Sequence, residues 1–173
     1  MKTITMRRSR VALAICILAL TGLAAACSDP GSKASSSFSQ KGITVSDVWA
    51  RESAMSSGNG AVYLTIENTT GVVDKLLSVS VPNSFAQTAQ IHETVMGDST
   101  SMTTLAGAAG MMSMKQVSSV TIPAGGSVTF EPGGYHVMLM GLSAPLEVGG
   151  TFEVNLGFMN AGTIKVTATV RAD

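Results

Sequence analysis

The residue types in this chain best suited to chemistry are histidine and methionine. Only two His occur, His92 and His136, against eleven Met. Setting aside Met1 and Met6, seven of the remaining Met fall between Met96 and Met140, around both imidazoles. In Gly134-Tyr135-His136-Val137-Met138-Leu139-Met140-Gly141 an extended backbone turns Tyr135, Val137 and Leu139 one way and His136, Met138 and Met140 the other. The first set has the make-up of a core face. The second is either another buried surface or a soft-metal site near water. In Met111-Met112-Ser113-Met114-Lys115 the same alternation puts Met112 and Met114 together, opposite Ser113, and in Ile91-His92-Glu93 it separates His92 from both neighbours.

A thioether is soft, neutral and needs no deprotonation, so Met sulfurs beside imidazoles suit Cu(I). Zinc and other divalent ions draw on thiolates or carboxylates to offset their charge. A blue-copper electron carrier needs a Cys in its trigonal plane. The chain has two Cys, and neither serves: Cys16 lies in an N-terminal leader and Cys27 at its end. The donors therefore favour holding Cu(I) over copper redox. Each Met taken singly is better read as a filler of core gaps.

Enzymatic machinery is not evident. There is no G-x-S-x-G, P-loop or H-E-x-x-H pattern, and Glu93 beside His92 is the sole carboxylate adjacent to a His. No catalytic residue and no organic cofactor is assigned, and the chain is expected not to be an enzyme. From Cys27 onward seven Lys and Arg stand against eleven Asp and Glu, a net charge of −4, so the basic footprint of a nucleic-acid binder is absent.

The elements that would position these side chains begin after the leader. Met1 to Arg10 is basic, Val11 to Leu20 is almost wholly apolar, and small residues follow in Thr21 to Cys27, the plan of a secretory signal over residues 1–26. Leu23-Ala24-Ala25-Ala26-Cys27 resembles a bacterial lipobox, which implies that Cys27 carries lipid as the first residue of the exported protein. Residues 27–40 are Ser-rich with few large apolar side chains and read as a lipid-anchored flexible linker. The remainder, 41–173, has the size of one domain.

Within it, apolar residues alternate at period two over Ile43 to Trp49, Ala61 to Glu67, Leu76 to Val81, Val128 to Phe130, Tyr135 to Met140, Phe152 to Phe158 and Ile164 to Val170. Turn residues separate these runs: Gly58-Asn59-Gly60, Asn68 to Gly71, Pro82-Asn83, Pro123 to Gly126, Pro132 to Gly134, Gly149-Gly150 and Gly162. No amphipathic run of helical length follows the leader. The fold class is all-β, a Greek-key sandwich or barrel in a single domain. Trp49 and Tyr63 are expected in or near the core, Tyr135 opposite His136, and Arg51 with Glu52 as a solvated surface pair.

These residues resemble the periplasmic copper chaperone family, PCu(A)C, whose fold is cupredoxin-like and whose pattern is His, ten residues, Met, twenty-one residues, then His-x-Met. Met114, twenty-one residues, His136, Val137 and Met138 reproduce its second half. Val48-Trp49-Ala50-Arg51, Gly60 to Asn68, Ile91-His92-Glu93, Ile122 to Gly126 and Pro132 to Leu142 extend the likeness over nearly all of residues 41–173. One feature departs from it. Twenty-one residues, not ten, separate His92 from Met114, and the surplus, 97–110, is Gly-, Ser-, Thr- and Ala-rich, a lengthened hairpin loop that leaves flanking strands in register. Met96, Met102 or Met112 is then placed to replace or supplement a ligand.

The resemblance implies metal ligands His92, Met114, His136 and Met138, with copper as Cu(I). It implies a protein outside the cytoplasmic membrane, facing periplasm or cell exterior, that passes copper towards the dinuclear centre of a cytochrome oxidase subunit, alone or with a thioredoxin-like copper chaperone. Copper buffering or tolerance through the same site, and an interaction module whose Met residues only pack, are the competing expectations.

Overall fold

The computed structural model describes residues 36–53, 58–96 and 112–172. The leader, Cys27, most of the linker and the 97–110 loop with Met102 lie outside the described residues. What is described is all-β, with eleven strands: β1 Phe38–Gln40, β2 Ile43–Arg51, β3 Asn59–Asn68, β4 Asp74–Ser80, β5 Ala86–Met96, β6 Met112–Gln116, β7 Val120–Ile122, β8 Ser127–Phe130, β9 Tyr135–Leu142, β10 Thr151–Phe158 and β11 Gly162–Arg171.

All belong to one sheet in the order β6-β5-β9-β8-β3-β2-β11-β10-β4-β7, with β1 added beside β2 and β9 also paired to β3. Most neighbours are antiparallel, while β11 returns parallel to β2 and β8 touches β9 in parallel. The sheet curls around its apolar face, so that β4 packs near β5 although the two lie far apart in the strand order. The core is built from alternate positions, as the period-two pattern requires. Val62, Leu64 and Ile66 from β3, Val137 and Leu139 from β9, Val154 and Leu156 from β10, and Val166 and Ala168 from β11 are almost wholly buried. Each such Val, Leu or Ile side chain removed from water contributes about 1.5–3 kcal/mol.

Every alternating run in the sequence falls on a strand, Leu76 to Val81 running one residue past the end of β4, with three local differences. Phe38–Gln40, at the end of the segment read as a flexible linker, pairs with Ile43–Val45. Of the Gly58-Asn59-Gly60 turn only Gly58 is a bend, at φ +66°, and Asn59 and Gly60 already belong to β3. Gly60 is there for space, since a Cβ would approach Leu146 Cδ1 to 2.8 Å. Finally, the alternation of β2 breaks. Ile43 and Val45 are buried, then Val48 and Ala50. A register shift lies between Ser46 and Trp49, and within it Asp47 has φ +48°. This β-bulge inserts one residue and turns Trp49 and Arg51 onto the face opposite the core.

At the far end of the barrel two buried polar residues close the loops. Asp74 accepts hydrogen bonds from the backbone N–H groups of Lys75, Asn160 and Ala161 at 2.7, 2.9 and 3.0 Å. Asn68 donates to Val72 O and accepts from Thr70. Buried polar groups are tolerated when they are partnered in this way.

Candidate metal site

The outer face of β3, β9, β5 and β6 is where the sequence places its donors. In the β5–β9 ladder His92 lies directly opposite His136 and Gln90 opposite Met138, while Ile91 and Val137 pair on the core side. In the β5–β6 hairpin Thr94 faces Met114 and His92 faces Gln116. The long loop therefore does leave its flanking strands in register. Across β9 from β5, Ala61 of β3 opposes Met138. The period-two reading of both segments holds: His136 and Met138 share a face, as do Met112 and Met114.

These side chains enclose a cleft of about 180 Å³. His136 and Met138, with Ala61, Tyr63, Arg51 and the Pro132-Gly133 turn, make one wall, and Met112, Met114 and Thr94 the other. Three of the four residues proposed as ligands from the sequence thus line one cavity. The fourth, His92, stands beside it, its ring centroid 5.8 Å from that of His136. Met96 belongs to β5 opposite Met112.

Each imidazole is held by one ring nitrogen and has the other without a partner. His136 Nδ1 lies 3.2 Å from Gly134 O, and a carbonyl only accepts, so Nδ1 carries the proton. The other ring atom, Nε2, is buried without a hydrogen-bond partner and keeps its lone pair. His92 repeats the arrangement in mirror form: Nε2 donates to Gln90 Oε1 at 3.1 Å, and Nδ1 is buried without a partner. A ring held by one nitrogen with the other bare is the usual posture of a metal ligand. Burial, and then the neighbouring His136, lower the pKa of His92, which favours the neutral form that can bind a metal.

His136 is only 3% exposed but is not a core residue, because it lies on the reverse of the face that carries Val137 and Leu139. Its anchor, Gly134 O, also accepts the Thr94 N–H at 3.1 Å, so the turn before β9 is tied to β5 as well. Among the described residues no three His, Cys, Asp or Glu side chains come together. The donors gathered at the cleft are imidazoles and thioethers, which fit a soft monovalent ion and leave the charge of a divalent one uncompensated.

Some functional neighbours were not legible in the sequence. Gln90, not Glu93, orients His92. Glu93 instead faces Tyr135, whose pKa is raised by burial and then by that carboxylate. Arg51, expected on the solvated surface, lines the cleft because the Asp47 bulge turns it there. The same bulge brings Trp49 against Tyr63, ring centroids 4.6 Å apart, with the Arg171 guanidinium 5.8 Å from the Trp49 ring centroid and 3.0 Å from Asp47.

A family model described as "Putative lipoprotein LpqE-like" matches residues 43–170. The chain belongs to the LpqE-like family. A relative in that sense is the Leifsonia xyli subsp. xyli (strain CTCB07) protein named "Putative lipoprotein Lxx21020", 36% identical over 177 residues that cover 98% of this chain and 92% of that one. Among solved structures, the apo PCuAC domain from PmoF1 aligns with TM-score 0.61 and 28% identity over 80% of this LpqE-like chain and 100% of its own. The solution structure of CuI-DR1885 from Deinococcus radiodurans aligns with TM-score 0.50 and 31% identity over 72% and 76%. The copper-bound PCuAC domain from PmoF2, at 24% identity and TM-score 0.61, shares the fold over 80% of this chain and 99% of its own. The resemblance to PCu(A)C domains and their cupredoxin-like architecture, read from the residues, is thereby borne out.

Proposed function

We propose that this LpqE-like protein is an extracytoplasmic copper metallochaperone that holds Cu(I) with His92, Met114, His136 and Met138. The observation that carries the reading is His136: a buried imidazole with Nδ1 tied to Gly134 O and Nε2 bare, in a cleft shared with Met114 and Met138. A PCuAC domain with a copper ion and a DR1885 structure with Cu(I) are among the proteins of this fold, which supports the choice of metal.

Four neutral donors leave the bound ion at a net +1, so nothing in the site opposes the approach of an anionic partner. Thiolates of an acceptor can displace one thioether at a time. Each exchange replaces a weak soft ligand by a stronger one, which gives transfer a direction. The acceptors we propose are a cytochrome oxidase subunit under copper-centre assembly or a thioredoxin-like copper chaperone serving it. Cys27 would carry the lipid that holds the protein at the membrane, with the following residues as its tether.

The test is an anaerobic Cu(I) competition titration against a coloured chelator, run beside Met138→Leu. One Cu(I) per chain is expected, with affinity in the variant lower by on the order of a hundredfold, at the upper end of the losses seen even for outer-shell changes at metal sites. The fold should be kept, since Met-to-Leu swaps cost less than about 1.5 kcal/mol. No copper uptake, or equal uptake by the variant, defeats the reading. Transfer from the loaded protein to an apo-oxidase subunit separates delivery from buffering.

A further inference from the structure

We propose that Met112 is a second outer thioether for the ion, interchangeable with Met114, so that two sulfurs share one coordination position at the mouth of the cleft. The proposal rests on the copper reading above. Both residues belong to β6, two positions apart on one face, and both line the cleft that holds His136 and Met138. They are among the most exposed large apolar side chains described, at 65% and 62%. Packing does not account for either: neither joins the hydrophobic core nor the half-buried residues set against it.

The donors are graded by depth. His136 is buried, Met138 half-buried, and the two β6 methionines are open to water. Among the described residues their strand is the edge of the sheet, paired on one side only, and all five of its residues are exposed. Residues two apart on a strand are about 6.7 Å apart. Unbranched thioether arms with three rotatable bonds span that interval and converge on an ion between them. With two equivalent sulfurs for one position, the inner donors retain the ion while one outer sulfur is released to an incoming ligand.

The experiment compares Met112→Leu, Met114→Leu and the double variant of the full exported chain in the anaerobic Cu(I) titration, with circular dichroism to verify the fold. Shared use of one position makes each single loss small, about two- to fivefold, and the double loss about a hundredfold, well beyond the product of the singles, the non-additivity of coupled residues. On the wild-type chain, both ε-methyl resonances should move when Cu(I) is added, a readout independent of any variant. Met112→Leu matching wild type while Met114→Leu equals the double variant overturns the proposal, as does a Met112 methyl signal unmoved by copper. Each single variant losing as much as the double also overturns it, because both sulfurs would then be obligatory. A wild-type chain that takes no Cu(I) defeats the copper reading itself.

Discussion

His136→Leu separates a ligand from a core histidine. In the metal-free protein the buried Nε2 has no partner, and an unsatisfied buried polar atom costs about 1–3 kcal/mol. Leucine removes that atom. It also removes the Nδ1–H bond to Gly134 O, worth about 0.5–1.5 kcal/mol net. Gly134 O is not orphaned by the change, because it still accepts the Thr94 N–H. The balance is a metal-free variant more stable than wild type by about 1 kcal/mol, which for a domain of this size raises Tm by roughly 3–5 °C.

Copper should reverse that order. Free Cu(I) held at a hundred times the wild-type Kd adds about 2.7 kcal/mol to wild type, and the variant, short of one ligand, gains far less. Urea unfolding with and without buffered Cu(I) reads both arms. A metal-free variant less stable than wild type by more than about 1 kcal/mol would mean that Nε2 is satisfied in the fold. An unchanged copper increment would mean that His136 does not bind the ion.

Two further outcomes are expected. Because the folded-state pKa of His92 lies below the ordinary 6.5, its neutral form persists as pH falls. Its stabilising share is fully present above 6.5 and is lost as pH falls from there through the lowered folded value. The His92 ring-proton resonances should therefore titrate with a midpoint below 6.5, and a midpoint at or above 6.5 contradicts this. At Asp47, φ +48° suits Gly, while the exposed ion pair with Arg171 is worth about 0–1 kcal/mol. Asp47→Gly should therefore be nearly neutral in thermal melts, whereas Asp47→Val, β-branched at positive φ, should lose more than about 1 kcal/mol and shift Trp49 fluorescence.

How much of this is legible in the sequence depends on which physical term dominates locally. Strands with one face in the core announce themselves, as β3, β9, β10 and β11 do. β5 does not. Ala86-Gln87-Thr88-Ala89-Gln90-Ile91 offers few large apolar side chains, because its outer face serves the site and its core face is filled by small residues and Ile91. β7 is three residues long, too short for a period to emerge. The Asp47 bulge is invisible to a period-two rule, since nothing local reveals that one residue is skipped, and with it go the places of Trp49 and Arg51. For the site, His136 and Met138 follow from alternation within one strand. The apposition of His92 to His136 follows only from β5 pairing with β9, a non-local fact. Gln90 as partner of His92 belongs to the same class, two residues away on one strand face yet meaningful only once that face is known to be the outer one.

The two walls of the cleft differ in how firmly the fold holds them, and that difference suits a cargo site. His136 and Met138 alternate along β9 with Val137 and Leu139, both 0% exposed, so each donor is fixed by the core residues on either side of it. Interiors are close-packed and give little, so this wall stays where it is whether or not an ion is present. Among the described residues β6 contributes nothing to the core and pairs with β5 alone, so its donors are held there by five backbone pairings and by no core side chain of their own strand. Elements with few buried contacts and solvent-exposed hydrogen bonds open at low free-energy cost. On the copper reading proposed above, the fixed wall would set which ion is accepted, through the spacing and neutrality of its donors, and the loose wall would let a donor leave when a partner's ligand arrives. A site with four donors on core-packed strands would bind as well but release slowly, and one with all its donors on β6 would release readily but select poorly.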